Sequence, residues 1–133
     1  MEYLSVIIAA AASYAFGAVW YMTLAKPWMA ASGVTQEMVK PADGKQDMTP
    51  FTISAIASIL VAGMMRHVFG MADIFGAYKG AVSGLGLGLF IVAPWIATNY
   101  AYGMRPKNLT LIDGGYAIIG CTIMGLIFGL FAG

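Results

Sequence analysis

The segment that decides the fold is the uncharged stretch 80–102, which reads GAVSGLGLGLFIVAPWIATNYAY. A helix needs roughly 20 apolar residues to cross a hydrocarbon core about 30 Å thick, because each residue advances it by about 1.5 Å. A charged side chain near the centre of such a helix would be costly, and this stretch contains none. The segment therefore predicts a transmembrane helix.

Three further stretches have the same character, and they cover residues 4–24, 50–69 and 111–132. Hydrophobic residues make up 60% of the 133-residue chain and charged residues only 10%. About a quarter of a soluble domain is charged, so this chain could not cover a surface that faces water. We therefore predict an all-α polytopic integral membrane protein, a four-transmembrane-helix bundle that forms a single membrane domain over residues 1–133.

The chain lacks the side chains that several kinds of site require. Its net charge of +1 provides no basic face for phosphates, so we expect no nucleic acid partner. The single cysteine, Cys121, excludes an intrachain disulfide and a cysteine-based metal cluster. His67 has no second ligand near it in the sequence, and we expect neither a metal nor a cofactor.

Two of the predicted spans begin with helix-start signals. Thr49 followed by Pro50 predicts an N-cap with proline at the first helical position, where its missing N–H costs nothing. Thr110 to Asp113 matches a capping box ahead of the last apolar run. The connection over residues 25–49 is long for a structureless loop, so we predict that it contains a helix lying on the membrane surface. We expect this helix to begin at Pro27 and to end at Gly33, and we expect Thr35 to cap another helical turn.

The distribution of basic residues predicts the orientation. An even number of spans puts both termini on the same side as the second loop, and cytoplasmic loops carry an excess of Lys and Arg. The side of the first and third loops has Lys26, Lys40, Lys45, Arg105 and Lys107, and the other side has Arg66 and Lys79. We therefore predict that the first and third loops are cytoplasmic and that both termini lie outside.

Small residues recur at intervals of four in every predicted span, a pattern typical of helices whose backbones approach closely in a bilayer. The third span has Gly80, Gly84 and Gly88, and the fourth has Gly125, Gly129 and Gly133 after Cys121; the first has Ser5, Ala9, Ser13 and Gly17, and the second has Ser54, Ser58 and Ala62. These stripes could form seams within one bundle or between copies of the chain. We favour internal seams, because the short loops after the second and third spans predict antiparallel hairpins.

Polar residues gather near the first- and third-loop side of the membrane. Pro94 predicts a kink in the third span, because it removes a backbone donor. Beyond it we expect Asn99, Asp113 and Tyr116 to converge, with Trp20 and Tyr21 at a similar depth and Arg105 as a partner for Asp113. Either these residues cap and anchor the helices, or they form a small polar pocket at the kink.

Two groups of residues give the chain a resemblance to a prokaryotic membrane family, the domain of unknown function 1761. The first group is Gly17, Trp20, Tyr21, Lys26 and Trp28, and the second is Pro94, Thr98, Asn99, Tyr100, Arg105, Ile112, Asp113, Gly115, Tyr116, Met124 and Gly125. The resemblance covers nearly the whole chain. It implies a four-span protein of a prokaryotic plasma (inner) membrane and no particular activity.

The functional expectations follow from these features. We find no nucleophile with a base, no paired carboxylates at the end of a span and no phosphate-binding loop, so we do not expect an enzyme. The leading expectation is a membrane protein that self-associates or acts as an accessory or structural subunit of a larger membrane complex. The alternative is a transporter-like binder of a small molecule or ion, with a polar pocket near the kink in the third span.

Overall fold

The computed structural model describes residues 2–42 and 44–132, and in these ranges it contains helices and no strands. The α-helices are α1 (Glu2–Thr23), α2 (Ala25–Ser32), α3 (Gln36–Val39), α4 (Thr49–Met71), α5 (Ala77–Leu87), α6 (Ala93–Tyr102) and α7 (Lys107–Ala132), and a π-helix, Gly88–Val92, joins α5 to α6.

Four helical segments are long and apolar enough to cross a membrane. They are Tyr3–Thr23, Thr49–Met71, Ala77–Tyr102 and Lys107–Phe131, called below the first, second, third and fourth spans. The predicted all-α fold with four membrane-spanning helices is therefore confirmed, and the chain is a multi-pass membrane protein.

The fourth span is the centre of the molecule. It packs against the third span on one side and against the first span on the other, and the second span packs mainly against the first. The predicted hairpin of the third and fourth spans is thus present. The predicted hairpin of the second and third spans is wrong, because in the described part of the chain these two helices meet at no more than isolated points.

The second loop explains why these consecutive spans are apart. The Ile74 N–H donates to the Phe69 carbonyl (3.0 Å), and two residues later the Gly76 N–H donates to the Gly129 carbonyl near the end of α7 (3.1 Å). The Phe69 ring packs edge-on against the ring of Phe128, with 6.1 Å between centroids. The short loop therefore crosses the end of α7 and places the third span on its far side.

Glycines form the seam between the third and fourth spans. A Cβ added at Gly80 would overlap the Gly125 carbonyl oxygen, and one added at Gly84 would overlap the Cys121 carbonyl oxygen. A Cβ on Gly88 would lie 2.7 Å from the Ile118 Cα. Gly125 and Gly129 meet the third span from the other side, at the carbonyl oxygens of Gly80 and Gly76. All five predicted packing glycines thus lie where two backbones touch, whereas Gly133 is outside the described residues.

The small residues of the first and second spans also face inward. Ser5, Ala9, Ser13 and Gly17 are buried, as are Ser58 and Ala62, and Ser54 is half-buried. The stripes of all four spans are therefore mainly occupied by contacts within the chain.

The start of α4 is not capped as predicted. The helix begins at Thr49 itself, so Thr49 is not the N-cap, and the Asp47 carboxylate accepts a hydrogen bond from the Thr49 N–H (3.0 Å). This backbone hydrogen bond holds the pKa of the Asp47 carboxyl below its usual range. A carboxylate two residues before a helix satisfies one of the unpaired N–H groups of the first turn better than a threonine hydroxyl can.

We expect the contribution of Asp47 to depend on pH. Its pKa is lower in the folded chain, so the stabilisation is present above the unfolded pKa of about 3.9 and is lost as the pH falls through the lower folded value. The difference in melting temperature between the wild type and Asp47→Asn should be small at pH 7 and smaller still at pH 3, below the unfolded pKa of about 3.9. Thermal unfolding at both pH values measures it; a difference that grew in acid would contradict this assignment.

The start of α7 also differs from prediction. The helix begins at Lys107, and the Pro106 carbonyl accepts the Leu109 N–H (3.2 Å). Thr110 therefore lies inside the first turn and cannot act as an N-cap, so the predicted capping box is wrong. Proline fixes φ at a value suited to a helix start, which moves the start upstream of Thr110.

The first loop contains the expected local structure. Helix α2 begins at Ala25, two residues before Pro27, and Gly33 ends it with a left-handed φ of 81°. Thr35 caps α3 by accepting the Met38 N–H (3.3 Å).

The disturbance predicted at Pro94 takes the form of a π-helical turn. The Ala93 N–H donates to the Gly88 carbonyl, five residues earlier, just before the proline that lacks an N–H. Such turns accommodate a break in the regular hydrogen-bond ladder.

Candidate functional site

Three side chains converge on Asp113 near the start of the fourth span. The Tyr21 hydroxyl donates to Oδ1 (2.6 Å), the Trp28 Nε1 donates to the same oxygen (3.2 Å), and the Tyr100 hydroxyl donates to Oδ2 (2.5 Å). These donors come from α1, α2 and α6, and the acceptor is on α7. We call these four residues the Asp113 cluster.

The chemistry of the Asp113 cluster suits an ionised carboxylate. An ionised carboxylate only accepts hydrogen bonds, and the groups bonded to Asp113 all donate. All four residues are half-buried, where hydrogen bonds to a charged group are strong. The cluster therefore ties the first, third and fourth spans and helix α2 together at one end of the molecule.

An aromatic layer lies beneath the cluster. Trp20 Nε1 donates to the Ile112 carbonyl (2.9 Å), and a Cβ added at Gly115 would lie 3.0 Å from the Trp20 ring. The Tyr116 ring packs against Tyr21 with centroids 5.4 Å apart. Three of the predicted residues, Trp20, Tyr21 and Tyr116, thus surround Asp113 as expected from their depth.

The other two predicted residues do not join the cluster. Asn99 is exposed, and its side chain makes no hydrogen bond within the described residues. Arg105 donates from Nη2 to the Ser32 carbonyl (2.6 Å), at the end of α2, and so holds α2 in place of pairing with Asp113. The Asp113 oxygens are already bonded to three donors, which leaves little room for a guanidinium.

Two cluster members were not predicted as site residues, Trp28 and Tyr100. Tyr100 is the neighbour of Asn99, and adjacent residues of an α-helix point about 100° apart, so only one of them can face α7. Trp28 lies on α2, whose docking on α7 is a long-range contact. The available signal was chemical, because both residues carry an N–H or O–H donor near the depth of an acid.

A cleft of about 180 Å³ opens where the second and third spans are apart. Its walls are Ser54, Ala57, Ser58 and Val61 of the second span, Val92 of the π-helix, Tyr116, Ala117, Gly120, Cys121 and Met124 of the fourth span, and Ser13 of the first. Ala57 and Val61 are exposed, so the cleft opens to the membrane-facing surface. Of the predicted site residues, only Tyr116 lines it.

The cleft contains buried hydroxyl groups near the middle of the membrane. Ser13 lies midway along the first span and is 3% exposed, and Ser58 lies close to the middle of the second and is 7% exposed. Within the part of the chain that the structure describes, neither hydroxyl has a protein hydrogen-bond partner, and both oxygens keep some accessible surface, since no fully enclosed side-chain oxygen there lacks a partner. Both serines were predicted to pack between helices, and their polarity inside apolar spans distinguishes them from the glycines and alanines of the same stripes.

No group of three His, Cys, Asp or Glu side chains that could hold an ion occurs among residues 2–42 and 44–132.

The sequence model of a protein family described as "Protein of unknown function (DUF1761)" matches residues 4–129. The chain belongs to the DUF1761 family. The match extends over the Asp113 cluster, the glycine seam and the cleft, so all three lie within the DUF1761 domain. No curated protein and no solved structure matches this DUF1761 chain significantly.

Proposed function

We propose that this chain is a non-enzymatic membrane protein that binds a membrane-soluble molecule in the cleft between the second and third spans. The observation that carries the proposal is the separation of these two consecutive spans, which leaves a cavity of about 180 Å³ over the fourth span. Small side chains such as Ala57, Ala117 and Gly120 line it and leave that space open.

The lining favours an uncharged, mostly apolar ligand. None of its side chains is Asp, Glu, Lys, Arg or His, and a charge at this depth would be costly without a partner. Typical small-molecule sites measure about 300–1,000 Å³. The cleft is smaller, so it fits one chain or ring of a ligand whose remainder lies in the bilayer.

The Asp113 cluster has a different role in this proposal. Its carboxylate is bonded to three donors from the chain itself, which supports a structural clamp rather than a ligand pocket at the kink. We therefore propose a binding site deeper in the membrane than the pocket at the kink, with Tyr116 between the two regions.

Self-association or an accessory role in a larger complex stays a prediction. The small-residue stripes on which it was based pack mainly within the chain, so they offer less surface to a partner. We also propose the cytoplasmic placement of the first and third loops, in a prokaryotic plasma membrane, on the charge bias and the family resemblance. A reporter fused after residue 133 that proved cytoplasmic would contradict the orientation.

The native Cys121 gives a direct test of access to the cleft. It is the only cysteine of the chain, it is buried, and it lines the cavity. N-ethylmaleimide is uncharged and membrane-permeant, and it reacts with the thiolate. In bilayer nanodiscs at about pH 9, which favours the thiolate, it should alkylate Cys121 without unfolding. Ala57→Phe should fill the opening and slow alkylation by about tenfold, which corresponds to about 1.4 kcal/mol. Intact-protein mass spectrometry over time measures the rate.

The matched control is Ala15→Phe, the same change at an exposed position near the middle of the first span and outside the cleft. It should leave the alkylation rate unchanged. If Cys121 reacts only after denaturation, or if both variants behave alike, the cleft does not admit ligands and the proposal fails.

A further inference from the structure

Resting on the proposed function, we propose that the ligand is a long-chain alcohol, whose single uncharged hydroxyl binds to Ser13 and Ser58 while its apolar chain fills the cleft. This names the chemical class of the ligand and the residues that select it.

Ser13 and Ser58 differ from other hydroxyl residues of the spans in their hydrogen bonding. In a helix, a serine or threonine commonly donates to the carbonyl of the preceding turn. Thr52, Thr98 and Thr122 do so, with oxygen distances of 3.1, 2.9 and 2.8 Å. Ser13 and Ser58 make no such bond, although both are more than nine-tenths buried.

Both serine oxygens keep some accessible surface, so a molecule in the cleft can reach them. A hydroxyl in a bilayer core has little water to bond to, so a ligand group that bonds to it is favoured. The polar surface inside the cleft is nevertheless small, since the walls are otherwise mostly apolar side chains. One polar atom on an otherwise apolar molecule matches this lining.

The hydroxyl groups of the cleft favour a ligand hydroxyl over other uncharged groups. Serine and tyrosine hydroxyls each donate one hydrogen bond and accept others. Tyr116 also lines the cleft, and its hydroxyl makes no hydrogen bond among the described residues. A ligand hydroxyl can donate to one of these groups and accept from another, whereas a carbonyl can only accept. A carboxylate would bring a charge that the walls do not balance.

Protection of Cys121 provides the measurement. Its alkylation rate in nanodiscs is followed while the bilayer is loaded with 1-dodecanol, 2-dodecanone, dodecane or dodecanoate. We compare the membrane concentrations at which each compound halves the alkylation rate. For 1-dodecanol this concentration should be about three- to tenfold lower than for dodecane. Such a ratio corresponds to the free energy of roughly one hydrogen bond. The advantage should vanish in the double variant Ser13→Ala/Ser58→Ala and remain in Ser83→Ala. Ser83 is a half-buried serine of the third span outside the cleft.

The outcomes separate this inference from the proposed function. Equal protection by alcohol and alkane would overturn hydroxyl recognition and leave binding in the cleft intact. Better protection by the ketone or the carboxylate, or an alcohol advantage that survives in the double variant, would also overturn it. If Cys121 reacts and none of the four compounds protects it, the proposed function fails as well.

Discussion

Gly84→Leu is expected to disrupt the contact between the third and fourth spans and to destabilise the protein more than any other single change considered for this chain. A Cβ at this position would overlap the Cys121 carbonyl oxygen and lie 3.2 Å from the Gly125 Cα. These are backbone atoms, which cannot move aside as the end of a flexible side chain can. Overpacking typically costs about 1–3 kcal/mol, and a whole leucine forced between two backbones should cost about 3 kcal/mol or more.

Gly86→Leu is the matched control. Gly86 lies two residues away on the same helix, and a Cβ added there meets nothing within 4 Å. Both changes remove a glycine from a helix and add the same side chain, so the intrinsic gain in helix propensity of roughly 1 kcal/mol cancels between them. Unfolding by denaturant in detergent micelles measures both. Similar midpoints for the two variants would show that the glycine seam does not hold the spans together.

Asp113→Leu is expected to produce the second largest loss of stability, about 2–4 kcal/mol, because it leaves three donors without their acceptor. These donors are the side chains of Tyr21, Trp28 and Tyr100. An opposing effect exists, since removing a half-buried carboxylate also removes the cost of taking its charge out of water. We expect the loss to dominate, because three hydrogen bonds to a charged group end together. Thermal unfolding in micelles measures the difference.

Removing the three hydrogen-bond donors together with Asp113 should recover part of the stability that Asp113→Leu loses. In a quadruple variant, Asp113→Leu is combined with Tyr21→Phe, Trp28→Phe and Tyr100→Phe, so no polar group is left unpaired. Asp73→Asn serves as a control for the loss of one carboxylate, because Asp73 is exposed in the second loop. An Asp113→Leu protein more stable than the wild type would mean that the cluster is retained for a purpose other than stability.

The depth of a residue in the membrane could be predicted, and its direction around the helix could not. Asp113, Tyr21 and Tyr116 were expected together because each lies near the same end of its span, and the structure brings them together. Asn99 has a suitable depth but points away, and its neighbour Tyr100 takes its place. Direction depends on which face of one helix meets another, and that is a tertiary contact.

The helix starts were predicted wrongly because of nearby residues. The cleft was not predicted because it depends on contacts between distant parts of the chain. Thr110 is a plausible cap in sequence, but Pro106 starts the helix earlier. The second and third spans were expected to form a hairpin because their loop is short. The hydrogen bond from Gly76 to Gly129 instead carries that loop across the end of α7.

Sequence alone was enough to establish four membrane-spanning helices, because the length and polarity of each stretch set whether it can cross a bilayer, whatever its neighbours are. It also identified the glycines that permit close approach, since a missing side chain is a local property. The order in which the helices pack emerged only in three dimensions. Placing the fourth span between the first and third depends on contacts between residues far apart in the chain, and that order produces both the Asp113 cluster and the cleft.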